Sequence, residues 1–228
     1  MTTGDQTARI AWREGGVPVS ERFDDPYFSI RDGLAETRHV FLEGNDLPGR
    51  FRDGFHIAEL GFGTGLNMLA AALAWQAADV PGRLLFTSFE AFPMAAGDVE
   101  RALTAFPEVA GLAGPFVAQW ATGARRIELD RMTATIVTGD ARVTLPAWQG
   151  RADAWFLDGF SPAKNPEMWS EELMAEVASH TAEGGTFATY TAAGFVRRGL
   201  QAAGFRVERR PGHAGKRHMS RGWLARDD

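Results

Sequence analysis

From residue 56 onward, short apolar runs with the length of buried strands alternate with longer amphipathic segments. This alternation is typical of an α/β domain in which helices cover both faces of a mostly parallel sheet. The pattern predicts seven strands, at His56–Leu60, Leu84–Phe89, Thr133–Val137, Ala154–Leu157, Thr186–Tyr190, Phe205–Arg209 and Met219–Leu224. It predicts helices at Leu66–Ala77, Ala95–Ala105, Pro107–Ala121, Ser170–His180 and Ala193–Ala203, with Gly184-Gly185 and Gly204 as stops for the last two.

Residues 1–55 follow a different pattern, in which glycine, proline and Asp/Asn clusters separate short apolar pieces. Turn signals of this density favour a hairpin and irregular structure over long elements. We therefore predict an N-terminal hairpin or cap region at 1–55, packed on a core domain at 56–228.

Composition limits the classes of protein and of functional site to which this chain can belong. The 228 residues are 45% hydrophobic, which is enough for one well-formed core, and the longest apolar run, Met68 to Trp75, is too short to cross a bilayer. We therefore expect a cytoplasmic protein with no membrane partner. The absence of Cys excludes thiolate chemistry, and the five His lack a metal-ligand spacing, so we expect no metal.

Charge is distributed unevenly along the chain. The formal net charge is −5, yet the stretch from Arg197 to Arg226 carries +8 and the remainder −13. A basic stretch can be an ordinary solvated surface or a site for a polyanion such as a nucleic acid, and both interpretations stay open at this point.

A glycine loop closes the first predicted core strand and opens a helix, which is where doubly wound sheets bind nucleotides. Its spacing is G-x-G-x-G, it lacks the Lys of a phosphate loop, and an acid precedes it. S-adenosylmethionine suits such a loop because it has no phosphate and carries a cationic amino acid end. Alternatives are a glycine turn without ligand and a nicotinamide dehydrogenase. The candidate cofactor residues here are Glu59, Gly61, Phe62, Gly63, Thr64, Gly65 and Asn67.

Acidic residues recur at the ends of successive predicted strands. Glu90 is the candidate for the ribose hydroxyls, and Asp140 with Ala141 for the adenine amino group. A fourth acid, Asp158, follows the next strand. Each of Glu90 and Asp140 alone could instead be a helix cap, and Asp158 could cap the turn before Ser170–His180.

The loop from Asp158 to Trp169 carries the strongest chemical signal. Two prolines stiffen it, and Phe160 and Trp169 could stack on a base or on adenine. Its Asp-Gly-Phe-Ser-Pro start is similar to the D/N-P-P-Y/F loop of methyltransferases that act on exocyclic amines. Asp158 is therefore the candidate to orient an amine and accept its proton, and it also counts among the cofactor residues, as does Phe160. Lys164, one of two Lys in the chain, could contact a phosphate or base oxygen, or be there by chance.

At these motifs the sequence resembles the tRNA 5-methylaminomethyl-2-thiouridine biosynthesis methyltransferases, the MnmC methyltransferase domain and its stand-alone form MnmD. The resemblance runs through almost the whole chain and is carried by Phe23 to Ser29, Gly33 to Leu42, Gly61 to Asn67, Trp155 to Trp169 and Ala193 to Leu200. It implies a class I, Rossmann-like fold with a seven-stranded, mostly parallel sheet, although a plain Rossmann domain would fit the same coarse pattern.

The resemblance also implies an activity, namely methyl transfer from S-adenosylmethionine to the exocyclic amine of 5-aminomethyl-(2-thio)uridine at the tRNA wobble position. The implied partner is the anticodon stem-loop, with no obligate protein partner. Because the sequence given ends at 228, we expect no flavin domain and no flavin. The candidate substrate or tRNA residues are Tyr27, Glu36, Lys164, Trp169, Phe195, Arg197, Arg198, Lys216 and Arg217.

The sequence departs from the family pattern at Ala35, Thr138 and the segment 212–219, where Lys216-Arg217 is kept but its surroundings differ. These departures leave adenine packing and the tRNA contacts open. Two rival functions are considered besides the dehydrogenase. One is an aminopropyltransferase of the same fold, for which the basic terminus has little use, and the other is a non-catalytic tRNA-binding module, against which the intact glycine loop and Asp158 argue.

Overall fold

The computed structural model describes residues 7–29, 32–213 and 215–225. A small antiparallel sheet of β1 (Ile10–Arg13), β2 (Val17–Ser20) and β3 (Asp25–Pro26) comes first. Helix α1 (Gly33–Thr37) follows and continues as a π-helical turn at Arg38–Leu42 and a 3-10 turn at Glu43–Asn45.

The rest of the chain alternates strands and helices. The strands are β4 (His56–Leu60), β5 (Leu84–Glu90), β6 (Arg126–Leu129), β7 (Met132–Thr138), β8 (Ala152–Leu157), β9 (Thr181–Thr189), β10 (Phe205–Pro211) and β11 (His218–Leu224). The α-helices are α2 (Leu66–Ala78), α3 (Ala96–Leu103), α4 (Ala110–Ala121), α5 (Ala141–Ala147), α6 (Glu171–Ser179) and α7 (Gly194–Ala202), and 3-10 turns lie at Pro107–Val109 and Pro166–Trp169.

These eight strands form one sheet in the order β10-β11-β9-β8-β4-β5-β7-β6. Strand β4 pairs in parallel with both β5 and β8, so the strand order reverses between β4 and β8. Strand β11 is antiparallel to β9 and β10, and β6 is antiparallel to β7. A parallel sheet binds ligands beyond the carboxyl ends of its strands at such a reversal, which places the expected site above β4 and β8.

Two apolar cores lie on the two faces of this sheet. Side chains alternate along each strand, so in β8 Phe156 joins one core while Trp155 and Leu157 join the other. The first core is covered by α2, α3 and α4, and the second by α5, α6 and α7. Because both faces are buried, the central strands are apolar at nearly every position, which is the pattern that the sequence displays.

The α/β prediction is confirmed, and each of the seven predicted strands is present. The eighth strand, β6, was missed because it is a four-residue edge strand with alternating exposure. Helix α5 was missed because it is only seven residues long and contains Pro146. The expected helix stop at Gly184-Gly185 was wrong: α6 ends at Ser179, and both glycines lie inside β9, whose pairing with β8 shifts register near Ala152. Gly204 does follow the cap of α7, with φ at +101°.

The predicted hairpin is present as β1 and β2, which pair from Ile10–Ser20 to Arg13–Val17. The segment from 33 to 55 does more than cover the core, because Leu34, Phe41 and Phe55 are buried within it. The domain boundary at residue 55 stays a prediction. None of the helices in the described ranges is long and apolar enough to span a bilayer.

Candidate functional site

A cavity of about 710 Å³ opens at the carboxyl edge of the sheet, above β4, β5, β7 and β8. Its size is that of a pocket for a ligand of nucleoside dimensions. The structure brings together most of the predicted site residues in its lining, namely Tyr27, Glu36, Gly61, Phe62, Gly63, Thr64, Asn67, Glu90, Asp140, Ala141, Asp158, Phe160 and Lys216. The strand-end acids and the glycine loop therefore converge, as the strand order requires.

The glycine loop touches the loop after β8 at one point. Gly61 has φ at +88°, and a Cβ there would lie 2.8 Å from the Asp158 carbonyl oxygen. Only glycine allows both the left-handed backbone and this close approach. Gly65 also has a positive φ and faces Phe116 rather than the cavity.

Glu90 lines the cavity at the end of β5 and is fixed by backbone donors. Its two carboxylate oxygens accept the N–H groups of Gly63 at 3.0 Å and Phe92 at 2.7 Å. Burial raises the pKa of this carboxyl, and the backbone hydrogen bonds oppose the rise. The backbone of this turn therefore holds the carboxylate at the cavity wall, the position expected of a ribose-binding acid.

Asp140 both lines the cavity and caps α5. Its carboxylate accepts the Arg142 N–H at 2.9 Å and pairs with the Arg142 guanidinium at 2.6 Å, which lowers the pKa of Asp140. The cap considered from the sequence is therefore present, and it does not exclude the adenine contact because the side chain is 44% exposed. Ala141 beside it lines the cavity as a small apolar surface.

Asp158 is a half-buried carboxylate at the cavity wall. Its oxygens accept Asn67 Nδ2–H at 2.8 Å and the Gly159 N–H at 2.9 Å. Burial raises the pKa of Asp158 to about 6, while these two donors and the charge of Lys216 oppose the rise. Among the described side chains, no Lys, Arg or His forms an ion pair with it. The structure therefore leaves this carboxylate available to a cationic or proton-bearing ligand.

Glu59 was predicted to hold a cationic ligand group, but it does not line the cavity. The side chain is completely buried, and its oxygens accept Ser88 Oγ–H at 2.7 Å and Asn67 Nδ2–H at 2.8 Å. Burial raises its pKa well above the ordinary value. Asn67 separates Glu59 from the cavity, so the direct ligand contact that we expected is not available to it.

An aromatic wall closes the side of the cavity formed by the N-terminal segment. Phe160 stacks on Phe23 with ring centroids 4.7 Å apart, and Tyr27 meets Phe160 edge-on at 5.1 Å. Arg22 lies over the Phe92 ring at 4.6 Å. Sequence reasoning singled out Tyr27 and Phe160 and missed the other three. Phe23 could have been found, because it begins one of the motifs that carry the family resemblance.

Two residues of the loop after β8 have structural contacts that we did not predict. Trp169 is 2% exposed, does not line the cavity, and donates its indole N–H to the Phe160 carbonyl at 3.0 Å. Lys164 donates to the Asp24 carbonyl and pairs with Asp25 at 3.4 Å; Asp25 lines the cavity, but Lys164 itself does not. Trp169 holds the loop from within and is sealed from the cavity, so its expected substrate contact is corrected. Lys164 ties the loop to the N-terminal segment, and because its side chain is 39% exposed, its expected contact with a phosphate or base oxygen stays a prediction.

Lys216 and Glu36 form an ion pair at the cavity wall. Lys216 Nζ lies 2.5 Å from Glu36 Oε1 and 4.4 Å from the centroid of the Tyr190 ring. Tyr190 in turn donates its hydroxyl to the Gly159 carbonyl at 2.7 Å. The ion pair between Lys216 and Glu36 joins the turn between β10 and β11 to α1. Tyr190 was missed from the sequence, since nothing local marks a residue that follows a strand as a cavity wall.

The other basic candidates lie outside the cavity, on the same edge of the sheet. Arg197 and Arg198 are in the first turns of α7, next to the exposed Phe195, and Arg217 is exposed between β10 and β11. We call Arg197, Arg198, Lys216 and Arg217 the basic rim. Arg226, which also contributes to the basic stretch, lies outside the described residues.

The comparisons with known proteins agree with this geometry. A sequence model of the S-adenosyl-L-methionine-dependent methyltransferase family matches residues 107–225. The tRNA 5-methylaminomethyl-2-thiouridine biosynthesis bifunctional protein MnmC of Caulobacter sp. (strain K31) is 48% identical over 227 residues, covering 93% of this chain and 38% of that protein. The protein of the same name from Chromobacterium violaceum is 46% identical, covering 96% of this chain and 34% of that protein.

Among solved structures, MnmC2 from Aquifex aeolicus superimposes with a TM-score of 0.76 at 23% identity, covering 98% of this chain and 72% of that one. At this identity the likeness supports the fold. The chain spans a little over a third of the length of the curated relatives it matches.

Proposed function

We propose, from the premise that this chain belongs to the S-adenosyl-L-methionine-dependent methyltransferase family, that it methylates the exocyclic amine of 5-aminomethyl-(2-thio)uridine at the wobble position of tRNA. Its relatives in Caulobacter and Chromobacterium violaceum are named for the biosynthesis of the corresponding methylated nucleoside. The observation that carries the proposal is the Asp158 carboxylate, which lies at the cavity beside the glycine loop with no ion-pair partner among the described residues.

The residues of the cavity fit S-adenosylmethionine. Gly61 and Gly63 line the cavity in the left-handed conformation, so the loop presents backbone without side chains at these two positions. Glu90 offers lone pairs to ribose hydroxyls, and Asp140 with Ala141 offers an acceptor and an apolar surface to adenine.

The chain's own residues account for the proton. S-adenosylmethionine, when bound, supplies a methyl group on a positively charged sulfur. This sulfur leaves as a neutral thioether, so no acid is needed to protonate the leaving group. The amine nitrogen forms the new bond with its lone pair and thereby becomes cationic. Asp158 orients that nitrogen and accepts one of its protons, which leaves a neutral secondary amine. The raised pKa makes this carboxylate a better base than an exposed aspartate while keeping it ionised at neutral pH.

The basic rim supports tRNA as the partner. Arg197, Arg198 and Arg217 are close in the fold to the cavity edge, where they could contact phosphates on either side of a flipped-out base. Phe195, 43% exposed, offers an aromatic face next to them. The expected cytoplasmic location is part of the same proposal, since that is where the substrate would be found.

Among the rival functions, family membership disfavours the dehydrogenase and the aminopropyltransferase. The glycine loop and Asp158, both in place at the cavity, count against a non-catalytic binding module.

The test is incubation of purified protein with labelled S-adenosylmethionine and tRNA from a strain that lacks this methylation, followed by nucleoside analysis. We expect label in 5-methylaminomethyl-(2-thio)uridine and none in tRNA whose wobble uridine lacks the aminomethyl group. Label on another nucleoside, or no label at all in the presence of bound cofactor, would contradict the proposed substrate.

A further inference from the structure

Asn67 joins two carboxylates at the ends of different strands, the fully buried Glu59 and the half-buried Asp158. One hydrogen of its side-chain amide goes to Glu59 Oε1 and the other to Asp158 Oδ2, both at 2.8 Å. Its carbonyl oxygen accepts the Thr37 hydroxyl at 2.8 Å. All of the donor capacity of Asn67 is therefore used within the protein, and none is left for a ligand.

The orientation of this amide is fixed by its neighbours. The reversed amide would turn its carbonyl oxygen toward Asp158, and the ionised Asp158 carboxylate has no proton to donate to it, so this contact would be lost. Glu59 is in turn held by Ser88 Oγ–H at 2.7 Å, at a position with no solvent exposure. Asn67 thus stands on a rigid buried support and directs one N–H at Asp158.

We propose that Asn67 is a positioning residue, whose amide fixes the Asp158 carboxylate so that its free lone pairs face the amine in the cavity. This inference rests on the proposed function, and it replaces the direct cofactor contact expected of Asn67 from the sequence. Glu59 and Thr37 hold the amide in this orientation. Glu59 accepts its second N–H, and Thr37 donates to its carbonyl oxygen.

The Asp158 carboxylate is faced by charged or titratable groups from several elements. Glu59 lies on β4, Glu36 on α1, Tyr190 after β9, and Lys216 in the turn between β10 and β11. The Asn67 N–H also opposes the rise in the pKa of Glu59, so its removal acts on both carboxylates in the same direction. The Asn67 N–H stabilises the ionised carboxylate, so its removal should raise the pKa of Asp158.

The decisive variant is Asn67→Leu, which keeps the volume and excludes water but offers no N–H. We expect ¹³C NMR of the labelled Asp158 carboxyl, assigned with Asp158→Asn, to titrate about one pH unit higher than in the wild type. In methyl transfer, kcat at pH 8 should fall about tenfold with an unchanged KM for tRNA, and the lower break of the pH profile should move upward. The pH profile also has a break that belongs to the substrate amine, and this break should be the same in the wild type and in Asn67→Leu.

Asn45 provides a matched control. It is fully buried and bonded in the same manner, donating to the Phe41 and Trp155 carbonyls and accepting from Thr186, but it contacts no carboxylate. Asn45→Leu should lower the unfolding temperature and leave the Asp158 titration where it is. An Asp158 titration and kcat in Asn67→Leu equal to those of the control would overturn the positioning role.

If Asn67→Leu fails to fold, Thr37→Val decides, because it removes only the hydroxyl that orients the amide. It should move the Asp158 titration in the same direction by a smaller amount, and no movement would count against the proposal. The titration requires no methyl transfer. An inactive wild type would therefore refute the proposed function, while the NMR result would still judge the link between Asn67 and Asp158.

Discussion

The cavity and the basic rim lie side by side and have opposite charge. Six acids line the cavity from five different segments and outnumber three basic residues there; the acids are Asp25, Glu36, Glu90, Asp140, Asp158 and Glu167, and the basic residues are Arg22, Arg142 and Lys216. The rim presents exposed arginines a short distance along the same sheet edge. The net charge of −5 is an average over the chain and conceals this contrast. It argues against a nucleic-acid partner only as long as the two regions are not considered separately.

This difference separates two tasks. An acidic, partly buried cavity attracts an amine and repels a phosphate, whereas the rim does the reverse. Only the modified base of the tRNA would therefore enter, with its backbone held outside. Lys216 belongs to both regions, since it pairs with Glu36 at the cavity wall and continues the rim toward Arg217.

The largest effect is expected from removing the charge of the cavity where the amine would bind. Asp158→Asn keeps the shape but cannot accept a proton, so we expect kcat to fall 10²- to 10⁴-fold, as is typical for loss of a general base. The affinity for S-adenosylmethionine, measured by calorimetry, should change less than about threefold if binding and base catalysis are separable.

Asp153 is the matched control, because it lies near the opposite end of the same strand and binds Arg52 and the His56 N–H far from the cavity. Asp153→Asn should cost stability and leave kcat within a factor of two. Equal turnover in the two variants would remove Asp158 from the mechanism.

The next effect concerns the contact between the glycine loop and the catalytic loop. In Gly61→Ala, the new Cβ would meet the Asp158 carbonyl, so the two loops must separate. We expect loss of cofactor affinity and of turnover by more than tenfold each. Gly54→Ala has a similar positive φ with nothing within 4 Å of the new Cβ. It should pay only the backbone cost of about 1–2 kcal/mol and keep its activity, and a Gly61→Ala variant that behaves the same way would show that the loop contact is dispensable.

Much of this architecture could be predicted from the sequence, because periodicity and strand ends are local properties. Buried parallel strands are apolar throughout, and the residues after them are bound to meet at one edge, which is how Glu90, Asp140 and Asp158 were found. The short edge strand β6 escaped, since four alternating residues do not stand out from a loop.

Sequence reasoning failed where a role depends on which way a side chain points. Glu59 and Asp158 are both acids at strand ends, yet Glu59 is completely buried behind Asn67 and Asp158 faces the cavity. Trp169 and Lys164 have side chains suited to ligand contact, but distant partners hold them, the Phe160 carbonyl and the segment with Asp24 and Asp25. Contacts across more than a hundred residues, as between Lys164 and Asp25, leave no local signature.

A smaller effect links the cavity's charge to stability. The folded-state pKa of Asp158 is raised from 3.8 to about 6, so its ionisation destabilises the fold as pH rises between these values. The free energy of unfolding of Asp158→Asn, relative to that of the wild type, should therefore increase from pH 4 to pH 7, by at most about 3 kcal/mol. Urea unfolding at both pH values measures this.

For Asp140→Asn we expect a change in stability of the opposite sign. Arg142 lowers the folded-state pKa of Asp140, so that carboxylate stabilises the fold above the unfolded pKa and the contribution is lost as pH falls. This variant should be less stable than wild type at pH 7, with the difference shrinking toward low pH. A stability difference for Asp158→Asn that is the same at pH 4 and pH 7 would contradict the raised pKa.

The smallest effect should come from the rim. Replacing Arg197 and Arg198 by Gln removes two charges at the cavity edge, so tRNA affinity should fall about tenfold and the slope of log K against log salt should flatten by about one to two. Arg125 and Arg126 form the matched pair, because they are adjacent arginines at the β6 edge of the sheet. Their replacement should leave affinity and slope within error, and kcat at saturating tRNA should be unchanged in both. Equal slopes for the two double variants would mean that tRNA approaches the cavity from another side, and that the contrast between cavity and rim serves solubility rather than recognition.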